Sequence, residues 1–183
     1  MRKLNTALLF SAALLTTNLA CAADVMVGGQ AMMVSKDIVD NAVNSADHTT
    51  LVAAVKAAGL VDTLKGKGPF TVFAPTNAAF NKLPAGTVDT LVKPESKATL
   101  TKILTYHVVP GKYDFKALEH AIKKDGGKAQ LATASGGKLT VMMNGTHNIT
   151  VMDEAGGTAN ISTYDVYQSN GVIQVVDSVL MPK

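Results

Sequence analysis

Apolar residues recur at helical spacing through the first part of the chain and alternate with polar ones in the last third. Between Thr49 and Ala58, the residues Leu51, Ala54, Val55 and Ala58 fall on one side of a helix, and Gly59 follows where a left-handed C-cap belongs. Asp37 to Ser45 predicts a shorter helix with Ile38, Val39 and Ala42 on one side, and Val61 to Leu64 adds a turn. Phe70 to Ala74 (FTVFA) is a mainly apolar run that reads as a buried strand, stopped by Pro75. Thr76 or Asn77 then offers an N-cap for a helix that Pro84 ends near Leu83. Thr87 to Leu91 fits helix or loop equally. Pro94 opens a helix whose stripe is Leu100, Ile103 and Leu104, continued by His107, before a strand-like stretch from Tyr106 to Val109. Phe115, Leu118, Ala121 and Ile122 line a further helix, closed by Lys123, Lys124 and Gly126-Gly127. The period then becomes two over Lys138 to Met143, Asn148 to Met152, Asn160 to Thr163 and Val172 to Val176, with turn dipeptides at Asn144-Gly145 and Asn170-Gly171. Helices first and strands last predict an α+β domain with an antiparallel sheet.

The N-terminus carries a different pattern. Arg2 and Lys3 precede an apolar stretch, Leu4 to Leu19, and Ala20-Cys21-Ala22 is a small-residue cleavage site. This predicts a secretory signal peptide over residues 1–22 and a mature chain starting at Ala23. No later stretch approaches the ~20 apolar residues of a membrane span. Cys21, the one cysteine, falls in the discarded leader; the alternative, a lipid-accepting site, wants Leu where Asn18 stands. Residues 23–35 hold Gly28-Gly29 and no clear period, and are expected to form a flexible lead-in to a domain over 36–183. The compartment expected is the periplasm or the extracellular space.

Composition narrows the function classes. Hydrophobic residues at 47% and charged residues at 17% support a packed core, and with no Trp that core is mainly aliphatic. The formal charge of +3 includes two leader residues, so the domain is near neutral. It has no basic run, and no electrostatic footprint for nucleic acid.

Three segments together resemble the fasciclin domain. Gly68 to Phe80 (GPFTVFAPTNAAF) is similar to the first fasciclin box, Tyr106-His107 within ILTYHVVPG to the family's Tyr-His segment, and Asn170 to Pro182 (NGVIQVVDSVLMP) to the second box. The resemblance covers Ser35 to Pro182 and departs from the family at Gln174, where members often carry His. It implies two small β-sheets set at a steep angle, a β-sandwich or wedge, with helices packed around one edge. It also implies a non-enzymatic role in adhesion outside the cytoplasm, through a protein or cell-surface partner.

Candidate partner-binding residues follow from that resemblance. Tyr106 and His107 form the segment linked to adhesion in the family; the rival reading is a buried, hydrogen-bonded His107. Animal members carry an Asn-Lys-Asp-Ile-Leu stretch before the second box, and here Thr163-Tyr164-Asp165-Val166-Tyr167 takes its place. Strand alternation puts Tyr164 and Val166 toward the core and Asp165 and Tyr167 outward as an anchor. The rival reading makes Asp165 a backbone-bonding turn residue. Catalysis has no local support: there is no G-x-S-x-G elbow, no H-E-x-x-H helix and no cysteine outside the leader. His48, His107, His120 and His147 lack zinc-ligand spacing, and no cofactor or metal is implied. Met26, Met32 and Met33 in the lead-in are a possible partner-binding tail or soft-metal contact. The alternative function is a carrier of small apolar ligands, for which a closed pocket above ~300 Å³ is the discriminating observation.

Overall fold

A computed structural model describes residues 24–183. The expected signal peptide, Cys21 included, lies outside the described residues. The residues expected to form a flexible lead-in instead form a β-hairpin, β1 (Val25–Val27) and β2 (Gln30–Met32). Gly28 and Gly29 both take positive φ, 59° and 75°, which is the backbone a two-residue primed turn requires. The hairpin is held because Val27 and Met32 are buried in the core. Met26 and Met33 stay exposed.

Helices α1 (Ile38–Ala42), α2 (Thr49–Ala58) and α3 (Val61–Leu64) follow. Gly59 caps α2 in the left-handed region at φ 72°, its N–H bonding back to the last turn. Strand β3 (Phe70–Pro75) leads into α4 (Asn77–Asn81), where the Thr76 side chain accepts from the Ala79 N–H. The ambiguous segment is α5 (Thr87–Leu91). Pro94 starts a 3-10 turn that continues as α6 (Lys97–Tyr106), and β4 (Val108–Pro110) comes after it. Helix α7 (Phe115–Lys124) is capped by Asp114, whose carboxylate accepts from the Ala117 N–H.

Strands β5 (Lys128–Ala132), β6 (Lys138–Met143), β7 (Ile149–Met152), β8 (Thr158–Gln168) and β9 (Gly171–Val176) complete the chain. The strand order is β4-β3-β9-β8-β7-β6-β5. The two expected sheets are therefore joined through β8, whose first residues pair with β7 and whose remainder pairs with β9. One pairing departs from the expected antiparallel pattern. β3 and β9 run parallel, from Phe70 opposite Gly171 to Pro75 opposite Val176. A parallel pair needs a long crossover, and the chain from α4 to β8 supplies it.

Strands β3 and β9 are buried on both faces, which is why their sequences are apolar except for Thr71 and Gln174. Val72, Ala74, Ile173 and Val175 meet α1, α2, α6 and the hairpin in one core cluster. Phe73 and Val176 point the other way, to a second cluster built from Leu118 and Ile122 of α7 and from Leu139, Val141, Ile149 and Val151. Phe73 is wholly buried, and burying a side chain of that size contributes about 1.5–3 kcal/mol.

Candidate functional site

Tyr106 and His107 are both inside the molecule, at 0% and 3% exposure. Their expected role as a contact surface is corrected: a partner cannot reach either ring in the folded state. Helix α6 ends there, so its final apolar stripe delivers both rings into the protein. The Tyr106 hydroxyl donates to the Lys138 carbonyl at 2.7 Å and accepts from the Glu154 N–H at 3.0 Å. The Leu180 N–H donates to His107 Nε2 at 3.0 Å, so the proton sits on Nδ1, which donates to the Ile103 carbonyl at 2.8 Å. Burial pushes the His107 pKa down to about 4 and keeps the ring neutral. The pair ties α6 to β6, to the loop after β7 and to the C-terminal segment.

The second predicted stretch is organised by a break in the strand. Asp165 takes φ 57°, and the β8–β9 register slips between Ile161 and Thr163 and again between Thr163 and Val166. Alternation therefore fails here. Tyr164 packs on the second cluster while Val166 enters the first, although both were expected on one face. Asp165 is not an outward anchor either. Its Oδ1 accepts from the Phe115 N–H at 2.7 Å and from Gln174 Nε2 at 3.1 Å. Its own N–H donates to Gln174 Oε1 at 3.1 Å, and Gln174 Nε2 also donates to the Tyr113 carbonyl at 3.1 Å. Gln174 is wholly buried with its amide fully used. The position where relatives often carry His thus holds a side chain that bonds a left-handed aspartate from both ends.

Around this centre lie four half-buried aromatics: Tyr113, Phe115, Tyr164 and Tyr167. Phe115 and Tyr164 stack edge to face with centroids 5.2 Å apart. The Tyr164 hydroxyl accepts from the Ile149 N–H at 2.7 Å, and burial raises its pKa. Tyr167 donates to Asp114 Oδ2 at 3.2 Å, and the Lys112 ammonium sits over its ring at 4.6 Å. Burial, then the charges of Asp165 and Asp114, push the Tyr167 phenol up to about 12. Tyr167 is the one predicted residue whose ring remains on the surface beside a free cation of the same patch. Lys112, Tyr113 and Asp114 were not singled out by the sequence and Phe115 was read only as part of an apolar helix face, although the Asp114 cap before that helix was a readable signal.

An apolar cavity of about 130 Å³ lies elsewhere, inside the first core cluster among the hairpin, α1, α2 and the inner faces of β3 and β9. It falls below the volume expected of a drug-sized ligand site. Among the described residues there is no cluster of His, Cys, Asp or Glu able to hold a metal, and no helix long and apolar enough to cross a membrane.

A model of the fasciclin domain matches residues 46–182. Protein sll1483 of Synechocystis is 45% identical over 146 residues, covering 79% of this chain and 73% of that protein. The cell surface glycolipoprotein MPB83 of Mycobacterium bovis is 37% identical over 160 residues, covering 85% of this chain and 64% of that protein. Among solved structures, the FAS1 domain pair of the insect cell adhesion molecule fasciclin I superposes with a TM-score of 0.70 at 19% identity, over 80% of this chain and 51% of that one. That likeness lies in the fold, while residues 46–182 of the family match span both segments that form the parallel pair. By sequence and by architecture, the chain belongs to the fasciclin domain family.

Proposed function

We propose that this protein is an exported, non-enzymatic interaction module, acting in the periplasm, at the cell surface or in the extracellular matrix, and that it meets a protein partner through the aromatic patch around Tyr167. The observation that carries the reading is the gathering of three of the chain's four tyrosines, Tyr113, Tyr164 and Tyr167, with Phe115 at the junction of β8 and α7. Tyrosines are enriched at protein interfaces, because each ring offers a large apolar area and a polar tip. The relatives named a cell surface glycolipoprotein and a cell adhesion molecule support the same reading.

Asp165 and Tyr164 hold the patch together, whereas Lys112 and Tyr167 form its accessible part. The test is therefore the double substitution Lys112→Ala with Tyr167→Ala, leaving Asp165 in place. The expected result is a thermal midpoint within a few degrees of wild type and a drop of about tenfold or more in capture of the partner from cell-surface extract. Undiminished capture by the folded variant would place the contact surface elsewhere.

A further inference from the structure

His48 is the last residue of a 3-10 turn (Ala46–His48) leading into α2 and is 3% exposed. Its Nδ1 meets the Ser45 hydroxyl at 2.9 Å, and Ser45 is itself buried. Its Nε2 is buried without a hydrogen-bond partner, the one such side-chain atom among the described residues. The Ala74 backbone lies near enough to oppose the effect of burial on the ring, but it makes no bond of acceptable length and angle with Nε2. Leaving a buried ring nitrogen unbonded is costly, so a group that bonds it gains more than an ordinary surface hydrogen bond would.

His48 lines the apolar cavity, together with His107. The two nitrogens of His107 are already committed to Ile103 and Leu180, so of the two histidines at the cavity wall only His48 keeps an unused ring nitrogen. The rest of the wall is mainly Val, Leu, Ile, Ala, Met and Phe side chains. A water there would find fewer than the two to four polar partners that hold a buried water. The volume, about 130 Å³, is close to that of an apolar cavity known to take a single benzene ring.

From this geometry we infer a binding site for one compact apolar molecule bearing a single hydroxyl, a phenol or an alcohol of similar size, whose hydroxyl bonds His48 Nε2 while its hydrocarbon body fills the space between α2 and the β3–β9 pair. A hydroxyl fits whichever tautomer the ring adopts. If Ser45 donates to Nδ1, the Nε2–H donates to the ligand oxygen; if Nδ1–H donates to Ser45, Nε2 accepts the ligand proton. Lys56 and Thr63, exposed residues among those lining the cavity, mark where it meets the surface. The site lies in a different core cluster from the aromatic patch and is independent of the partner-binding reading.

Phenol and toluene are matched probes that differ by the hydroxyl. NMR titration of the full mature chain should show both perturbing the amides of Val72, Ala74 and Ile173. Phenol should bind about tenfold more tightly, as one net hydrogen bond to a buried group provides. Only phenol should move the Nε2 resonance of His48. His48→Leu should bind the two probes equally. Should that variant fail to fold, the wild-type Nε2 resonance and the phenol-to-toluene ratio still decide. Cavity amides unmoved at millimolar phenol, or phenol binding no tighter than toluene with Nε2 unmoved, would overturn the assignment.

Discussion

A buried histidine that must stay neutral makes the protein sensitive to acid in a defined direction. The folded His107 has a pKa of about 4 against 6.5 for an unperturbed ring, so between those values the unfolded chain binds a proton that the folded chain does not. Its contribution is intact above pH 6.5 and is lost as pH falls toward 4. One depressed histidine of that size removes roughly 3 kcal/mol over the window. His48 is depressed by burial too and acts with the same sign. Chemical melts at pH 7, 5.5 and 4.5 should show the decline, and His107→Gln should flatten it. His107→Ala should cost about 1–3 kcal/mol at pH 7, because the buried Leu180 N–H and Ile103 carbonyl lose their bridge. A pH-independent midpoint for the wild type would contradict the neutral-ring assignment.

Short elements carry as much of the core as long ones. The hairpin β1–β2 has three residues a side, yet Met32 is 3% exposed against α1 and the sheet. Met32→Ala should lower stability by about 2 kcal/mol or more, measured by denaturant titration; a tail that merely hung from the domain would show no change. The hairpin was legible in principle, since Gly28-Gly29 is a primed-turn signal, but its strands are too short to show a period. Strand β5 was missed for another reason: Lys128, Ala129 and Ala132 are weak strand formers, and pairing with β6 makes the segment a strand. Helix α2, by contrast, matched its expected span, because its stripe and its Gly59 stop are both local. The bulge at Asp165 could not be read from β8 alone. The groups that hold it, Phe115 and Gln174, lie 50 and 9 residues away. That is why Tyr164 and Val166 were assigned to one face and occupy two.

For the whole molecule, the resemblance to fasciclin boxes carried the architecture further than periodicity did, since period two cannot distinguish a parallel partner from an antiparallel one. The first and second boxes, a hundred residues apart in numbering, are neighbours at Phe70 and Gly171, where the approach is closest. A Cβ on Gly171 would lie 2.0 Å from the Phe70 carbonyl oxygen. Gly171→Ala should therefore disrupt the central pair and lower the thermal midpoint by several degrees at least, checked by calorimetry. The last strand is also a central one, with β3 on one side and β8 on the other, and Leu180 beyond it is wholly buried. Strand β9 follows β3 by about a hundred residues, and until it is in place β3 and β8 have no strand between them. Closing the sheet therefore waits on a contact of long sequence separation, and the loop-closure cost of such a contact slows folding.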